Sequence, residues 1–286
     1  MKHRLRIAVN SRNRLVVVCP FFAVVPLLQQ RFMCTVIGTC VHKNEANMTK
    51  RIRAFFITGT DTGIGKTFIG CSLAAAFRAR GMKVGVFKPI ESGCEAVEGK
   101  RIPADASALC RASGSDLPIE TICPYRLREP LAPAEAARIE GVTIDENRLL
   151  SLFEEIALSH DVTLVEGAGG LLSPMYRTKT ALDFLLRINI AAVNVVGSRL
   201  GAINHTLLTE RVLLSAQVAL AGHIINHHTA DTEQAMLTNP DNIREFAKRP
   251  VLGIVHHTGG NRLEPEATEA HIDLDALLAA SEIVLD

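Results

Sequence analysis

A glycine-rich segment that ends in Lys-Thr carries the clearest chemistry in this sequence. It reads GTDTGIGKT over residues 59–67, directly after the β-rich run 54–58 and directly before a stretch rich in Ala and Leu. Glycines let backbone N–H groups turn toward phosphate oxygens, and the start of a following helix adds partial positive charge. The segment predicts a phosphate-binding loop in which Lys66 reaches the β and γ phosphates and the Thr67 hydroxyl holds Mg²⁺.

One position of this loop departs from the usual G-x-x-x-x-G-K-[ST] pattern. Thr60 stands where the first glycine is expected, and the glycine is displaced to Gly59. A glycine-rich turn with a chance Lys-Thr pair is the alternative interpretation. The partitioning ATPases carry an additional lysine five residues before the loop lysine that corresponds to Lys66. This chain has Asp61 at that position. That difference argues against the partitioning branch.

Two acidic residues are candidates for the metal site. Glu166 ends the hydrophobic run 161–166 and is followed by glycines. An acid at the end of a strand beside a phosphate loop can bind Mg²⁺, which prefers oxygen ligands. The alternative is an ordinary surface acid. Asp105, in the segment IPADAS, is a weaker candidate from its position, because an Asp at a helix start is usually a cap.

A second lysine, Lys88, follows the run 84–87 and precedes a short polar loop that contains Ser92. Ligands in this architecture bind at the carboxyl ends of the strands, so we expect Lys88 near the phosphate loop. There it would stabilise charge on a transferred phosphoryl group, and Ser92 could donate a hydrogen bond. The alternative for Lys88 is a solvated lysine at a strand end.

Short β-rich runs alternate with helical patterns from Arg53 onward, which is typical of a mostly parallel sheet with helices on both faces. The pattern predicts strands near residues 54–58, 83–87, 161–165, 191–196, 219–225 and 251–254. It predicts helices near residues 66–80, 104–112, 145–159, 178–188, 203–216 and 232–247, and a last short helix between 272 and 280. The sequence therefore predicts an α/β domain of the P-loop NTPase type.

The first 47 residues differ from the rest of the chain in charge. They hold seven Lys or Arg against one Asp or Glu, and an apolar run over 15–28 follows the first basic residues. This imitates a secretory signal, but the run is short for a bilayer span. Because the predicted chemistry needs ATP, we expect a cytoplasmic enzyme of residues 48–286 that starts at Met48, with residues 1–47 outside the fold. A real targeting segment is the alternative.

Charge and cysteine content exclude other classes of protein. Residues 48–286 carry 24 basic and 29 acidic side chains, which is not the clustered basic face of a nucleic-acid-binding protein. The seven cysteines lack the CxxC spacing of zinc sites and indicate reduced thiols.

Together these segments resemble dethiobiotin synthase over residues 53–226. The resemblance depends on an ordered set of motifs: GTDTGIGKT, FKPIESG, the Asp105 region, LAPAEAA, LVEGAGGLLSP, GSRLGAINHTLLTE, and a strand ending in Asn226. The family makes the ureido ring of dethiobiotin from 7,8-diaminononanoate, CO₂ and ATP, through a carbamate and a carbamic-phosphoric anhydride. The resemblance implies this reaction, Mg²⁺, and a homodimer with the substrate site at its interface, and no nucleic-acid or membrane partner.

The motifs and the resemblance together give the candidate site residues. The catalytic candidates are Lys66, Lys88 and Thr62. The nucleotide-binding candidates are Gly63, Ile64, Gly65, Lys66, Thr67, Glu166, Gly169 and Asn226. The metal ligands implied are Thr67, Asp105 and Glu166. The substrate contacts implied are Thr62, Ser92, Ala202, Ile203 and Asn204, the last three at a helix start whose free N–H groups can receive a carboxylate across the dimer interface.

Asn226 has an alternative role as a turn residue, although its amide could read the adenine edge. His227-His228 and the segment GIVHH at 253–257 depart from the family pattern near the expected purine pocket. We expect the histidines between His223 and His271 to be surface or loop residues, because no metal-ligand spacing supports them. The alternative functions are a corrin-type ATP-dependent amidotransferase, whose glutaminase domain does not fit in the residues after 226, and a P-loop ATPase switch.

Overall fold

The computed structural model describes residues 6–9, 15–18, 52–230 and 234–283. By contacts the chain divides into two units, Met1–Met48 and Thr49–Asp286. In the first unit, β1 (Arg6–Val9) and β2 (Leu15–Val18) pair as an antiparallel hairpin. The role of residues 1–47 and the start at Met48 stay predictions, since most of this segment lies outside the described residues.

The second unit alternates strands and helices. Its strands are β3 (Ile52–Gly59), β4 (Val84–Phe87), β5 (Ile90–Glu91), β6 (Glu95–Val97), β7 (Lys100–Ile102), β8 (Tyr125–Arg126), β9 (Val162–Glu166), β10 (Pro174–Tyr176), β11 (Lys179–Thr180), β12 (Ala191–Gly197), β13 (Leu220–Asn226), β14 (Val251–Val255) and β15 (Glu282–Ile283). Its helices are α1 (Lys66–Ala79), α2 (Ala104–Ser113), α3 (Ile119–Ile122), α4 (Pro133–Ile139), α5 (Glu146–Ser159), α6 (Ala181–Ile188), α7 (Ala202–Ser215), α8 (Gln234–Phe246), α9 (Pro265–His271) and α10 (Leu274–Ala279).

A parallel sheet forms the centre of this unit, with the strand order β14-β13-β12-β3-β9-β4, and β15 joins the start of β3 antiparallel. The predicted α/β fold with a mostly parallel sheet is confirmed. Each of its six predicted strands is present, with ends within about two residues of the prediction. Their carboxyl ends lie at one edge, where the phosphate loop follows β3.

Helices cover both faces of the sheet because alternate strand side chains point to opposite faces. In β3, Phe55 and Ile57 pack in one core cluster with α1 and α2 residues, and Phe56 packs in the other with α5 and α6 residues. All seven residues of β12 are buried. Such continuous apolar runs are typical of parallel strands that are buried on both faces.

Several short elements were not predicted, among them the hairpin β6–β7 and helix α4. The helix predicted over 178–188 begins at Ala181, because Thr180 and Asp183 form a capping box at its start. The last helix spans Leu274–Ala279, inside its predicted range. Across the part of the chain that the structure describes, every helix is too short or too polar to cross a membrane.

Candidate active site

The phosphate loop connects β3 to α1, and its conformation explains its residues. Gly65 caps α1 with φ of 88°, and a Cβ at this position would lie 2.3 Å from the side-chain nitrogen of Asn226. Both features require glycine. Thr60, in the unusual position, donates its N–H to the Val195 carbonyl at 3.0 Å and accepts from the Gly197 N–H at 3.3 Å. The departure from the common pattern therefore ties the loop to β12.

Lys66 and Lys88 both lie at this edge of the sheet, but in different surroundings. The Lys66 ammonium donates to the backbone carbonyl of Asp61 within its own loop, at 2.8 Å. The Lys88 ammonium lies 2.5 Å from Glu166 Oε1 and 3.1 Å from Asp105 Oδ2. The structure thus brings both predicted lysines to the loop, and Lys88 is buried in a pair of ionic contacts and is not a solvated strand-end lysine.

These contacts determine the charges of the two lysines. Burial, together with the neighbouring Lys88, lowers the pKa of Lys66 to about 8. Burial also opposes charge on Lys88, but Glu166 and Asp105 outweigh it and hold the pKa of Lys88 above its usual value. Burial would raise the pKa of Asp105, but Lys88 and the Thr67 hydroxyl hold it below its usual value. Lys88 therefore neutralises carboxylates, while Lys66 remains available to phosphate.

The three predicted metal ligands meet in one place. The Thr67 hydroxyl donates to Glu166 Oε1 at 2.8 Å, and Glu166 is 1% exposed. The second carboxylate oxygen, Oε2, is buried and has no hydrogen-bond partner among the described residues. An orphaned buried oxygen beside a hydroxyl and a second carboxylate is an oxygen-donor set that Mg²⁺ favours. The residues present therefore fit a magnesium ion.

A cavity of about 410 Å³ contains these groups. Its lining also includes the predicted residues Thr62, Gly63, Gly65, Ser92 and Gly169. Gly169 has φ of 69°, and a Cβ there would lie 2.3 Å from the Ser173 hydroxyl oxygen. Glu91 lines the same cavity and was not predicted. Its position directly before Ser92 was the only sequence signal that could have identified it.

A second cavity, of about 590 Å³, adjoins the first, and Thr62 lines both. Its lining joins the start of the loop, the segment 170–174 and one face of α7 that includes His205 and Leu208. Asp61 lines it as well and forms an ion pair with Arg199. His205 is exposed and faces this cavity.

The three substrate contacts predicted on α7 lie elsewhere. Ala202, Ile203 and Asn204 form the first turn of α7, and none of them lines either of these two cavities. Asn204 is exposed to solvent, and Ala202 is buried. The role of this turn in holding substrate across a subunit interface, which the resemblance implies, stays a prediction.

A third cavity, of about 150 Å³, lies at the ends of β13 and β14. Gly63 and Gly65 line both this cavity and the first one, so a nucleotide can place its phosphates in one and its base in the other. Asn226 lies here, and its side-chain nitrogen donates to the Ile64 carbonyl at 2.8 Å. Asn226, which was predicted to contact the adenine edge, therefore also forms a hydrogen bond with the phosphate loop.

Histidines form much of the remaining lining: His227, His228, His256 and His257. The rings of His227 and His256 meet edge to face, with centroids 4.9 Å apart. Burial, with His256 and His228 nearby, lowers the pKa of His227. These four histidines lie in loops, as predicted. The same prediction was wrong for His223, which is fully buried on β13.

Comparisons with known proteins identify the family of this chain. A protein-family model described as an AAA domain matches residues 53–259. The ATP-dependent dethiobiotin synthetase BioD of Aromatoleum aromaticum is 38% identical over 211 residues, covering 73% of this chain and 92% of the relative. The enzyme of the same name from Bacillus velezensis is 35% identical over 235 residues, covering 81% and 99%. The chain belongs to the dethiobiotin synthetase family.

Two solved structures are similar to this chain in fold. The septum site-determining protein MinD of Pyrococcus horikoshii, complexed with Mg-ADP, is 16% identical, with a TM-score of 0.49, and the match covers 80% of this chain and 86% of that one. Cobyrinic acid a,c-diamide synthase of Mycobacterium smegmatis is 14% identical, with a TM-score of 0.48, and the match covers 82% and 100%.

Proposed function

We propose that this chain closes the ureido ring of dethiobiotin from 7,8-diaminononanoate, CO₂ and ATP. The observation that carries the proposal is the junction of two cavities at Thr62, one built for phosphates and one lined by leucines and small polar groups. An activated phosphoryl group and an organic substrate can meet there. The relatives favour this ligase over the ATPase switch and the corrin-type amidotransferase.

The reaction balances in three steps. One amine nitrogen of the substrate attacks CO₂, forms a C–N bond and loses a proton, which leaves a carbamate. A carbamate oxygen attacks the γ phosphorus of ATP, the bond to the bridging oxygen breaks, and ADP leaves. The second amine attacks the carbonyl carbon of the resulting anhydride, the C–O bond to phosphate breaks, and phosphate and a proton leave as the ring closes.

The residues of the first cavity have distinct parts in these steps. Lys66 would turn from the Asp61 carbonyl to the β and γ phosphates, because its pKa is lowered by burial that phosphate charge would offset. Lys88 would stabilise the oxygens between carbamate and phosphoryl group. Thr62 and Ser92 would hold the substrate by hydrogen bonds, and positioning supplies much of the rate.

We propose that Thr67, Asp105 and Glu166 hold the magnesium ion. When bound, Mg²⁺ neutralises phosphate charge and so favours attack on phosphorus. The Lys88 ammonium lies against both carboxylates and balances their negative charge when no metal ion is bound.

We also propose a homodimer in which the first turn of α7 receives the substrate carboxylate from the neighbouring subunit. The turn carries backbone N–H groups without intrahelical partners, and such groups bind anions. Leu172 and Leu208, beside the second cavity, are 55% exposed each and offer an apolar surface for that contact.

The direct test measures ADP and phosphate release by the full chain with Mg-ATP and bicarbonate, with and without 7,8-diaminononanoate, and identifies the product by mass. Release that requires the diamine and gives a ring-closed urea supports the ligase. Hydrolysis indifferent to the diamine contradicts it and favours the switch. The Lys66→Met variant is the control, with a rate expected to fall about 10²-fold to 10³-fold.

The same assay tests the domain prediction. We propose that residues 48–286 suffice for activity and that the enzyme acts in the cytoplasm, where ATP is available. A chain starting at Met48 should match the kcat of the full chain within about twofold. A much lower kcat would contradict the proposal that residues 48–286 suffice. Recovery of the native protein from a non-cytoplasmic fraction of cells would contradict the proposed location.

A further inference from the structure

Glu91 is a buried carboxylate beside the phosphate cavity that no step above uses. It ends β5 and is 5% exposed. Its oxygen Oε1 accepts the backbone N–H of Asp105 at 3.0 Å, and Oε2 accepts that of Ala106 at 2.9 Å. Both carboxylate oxygens are therefore directed at the first turn of α2.

The start of α2 needs these acceptors because it has no cap of its own. The first N–H groups of a helix lack intrahelical partners, and an Ser, Thr, Asp or Asn at the N-cap usually accepts from them. Here the N-cap is Pro103, which makes no side-chain cap hydrogen bond. Glu91 supplies the missing oxygens from a separate strand, and its negative charge suits the positive end of the helix.

Asp105 is the second residue of α2 and is held from two sides. Glu91 fixes its backbone N–H, and the Lys88 ammonium lies 3.1 Å from its side-chain oxygen Oδ2. The carboxylate of Asp105 can lean toward Thr67 and Glu166 only while the helix start stays in place. A shift of the first turn would therefore move Asp105 relative to Lys88 and Glu166, which lie on other elements.

We propose that Glu91 is a positioning residue of the metal site: it caps α2 from β5 and so sets Asp105 for the magnesium of the nucleotide complex. Glu91 acts through the backbone of α2 and does not contact the reactants. The inference rests on the proposed metal site.

The decisive comparison uses a replacement cap. Glu91→Ala removes both acceptors, and Pro103→Ser, placed in the same chain, puts a hydroxyl at the N-cap, where φ of −80° and ψ of 104° suit a capping residue. Glu95→Ala changes an exposed carboxylate nearby on β6 and serves as the matched control. Pro103→Ser alone measures the effect of losing the proline.

The readouts are Mn²⁺ binding to the full chain in the presence of ADP, followed by electron paramagnetic resonance, together with metal-free ADP binding and Tm. We expect Glu91→Ala to weaken Mn²⁺ binding about tenfold or more, as loss of residues that orient metal ligands typically does. Metal-free ADP should bind as in the parent chain, and Glu95→Ala should change neither. Adding Pro103→Ser should return Mn²⁺ affinity to within about threefold of the parent.

Two results would overturn the inference. Mn²⁺ affinity of Glu91→Ala within about twofold of the parent would show that the cap does not set the site. Recovery of Tm by Pro103→Ser without recovery of Mn²⁺ affinity would show that Glu91 acts directly on metal or substrate. If Glu91→Ala does not fold, Glu91→Gln, which keeps one acceptor oxygen, is measured against the same limits. Since no readout needs diamine turnover, failure of the proposed ligase activity would leave this test intact.

Discussion

Lys66 and Lys88 lie at the same cavity but contribute differently to the stability of the protein. The buried Lys88 ammonium contacts two carboxylates, those of Glu166 and Asp105. Lys66 is buried against a backbone carbonyl, and burial lowers its pKa, so its charge is poorly compensated without nucleotide. Removing a partner from a buried ionic cluster is costly, whereas removing an uncompensated buried charge is not.

We therefore expect Lys88→Met to lower the free energy of unfolding by about 3 kcal/mol or more, and Lys66→Met to change it by less than about 1 kcal/mol. Urea denaturation of the nucleotide-free proteins measures both. Both variants should lose turnover. Equal losses of stability would mean that Glu166 and Asp105 do not depend on Lys88 for their charge.

Asn226 bridges the base cavity and the phosphate loop through its bond to the Ile64 carbonyl. Asn226→Ala should weaken the binding of both ATP and inorganic tripolyphosphate about tenfold, the equivalent of one hydrogen bond of about 1.4 kcal/mol. His256 lines only the base cavity among the two, so His256→Ala should weaken the binding of ATP and leave the binding of tripolyphosphate unchanged. Calorimetric titration measures each. Normal tripolyphosphate binding in Asn226→Ala would restrict this residue to the base.

At the scale of elements, α7 is anchored by a buried carboxylate. Glu210 is 2% exposed and accepts the backbone N–H groups of Lys248 and Arg249 at distances of 2.7 to 3.0 Å. It also lies 3.5 Å from His223 Nε2 on β13. One carboxylate thus joins the helix that lines the second cavity to the sheet and to the segment before β14.

Burial lowers the pKa of His223, and Glu210 only partly offsets this. Its other neighbours, Asn194 on β12 and Val251 on β14, are uncharged. Above the unfolded pKa of about 6.5 the ring is neutral in both states, and below it the unfolded chain binds a proton that the folded chain resists. Stability should therefore fall with decreasing pH below about 6.5.

His223→Gln should remove this contribution, whose slope is at most about 1.4 kcal/mol per pH unit. Urea unfolding of the parent and the variant between pH 7.5 and 5.5, in steps of about half a unit, gives the difference. The exposed His257, changed to Gln, provides the control and should leave the slope unchanged. A parallel pH dependence in parent and His223→Gln would mean that other groups cause the loss.

At the scale of the whole molecule, the proposed homodimer would cover the apolar surface beside the second cavity. Leu208→Asp should convert the dimer to a monomer in light scattering, because a charge at a buried interface loses its hydration without a partner. The KM for the diamine should rise about tenfold or more, as for the loss of one charge-assisted contact, while ADP binding stays unchanged. The exposed Leu186 on α6, changed to Asp, is the control. A dimeric Leu208→Asp protein with an unchanged KM would place the interface elsewhere.

The sequence by itself determined the order of elements and the phosphate loop. Mostly apolar runs such as the one at 191–197, set between helical patterns, are typical of buried strands in an α/β fold. The chemistry of GTDTGIGKT depends on neighbours within nine residues. Lys88 and Glu166 were expected at the site for the same reason, since each ends a strand. These are local properties of the chain, which periodicity and turn residues encode.

Apart from the metal ligands that the family resemblance had brought together, only the tertiary structure decided which distant groups meet and by which atoms. Asn226 bonds to Ile64 across 162 positions, Thr67 to Glu166 across 99, and Glu91 caps a helix on another segment. The four histidines of the base cavity come together from the ends of β13 and β14, which are neighbours only in the sheet. The physical reason is that the residue pattern of a strand or helix determines which of its faces is buried. Which element packs against that face depends on strand order, and distant parts of the chain determine that order together.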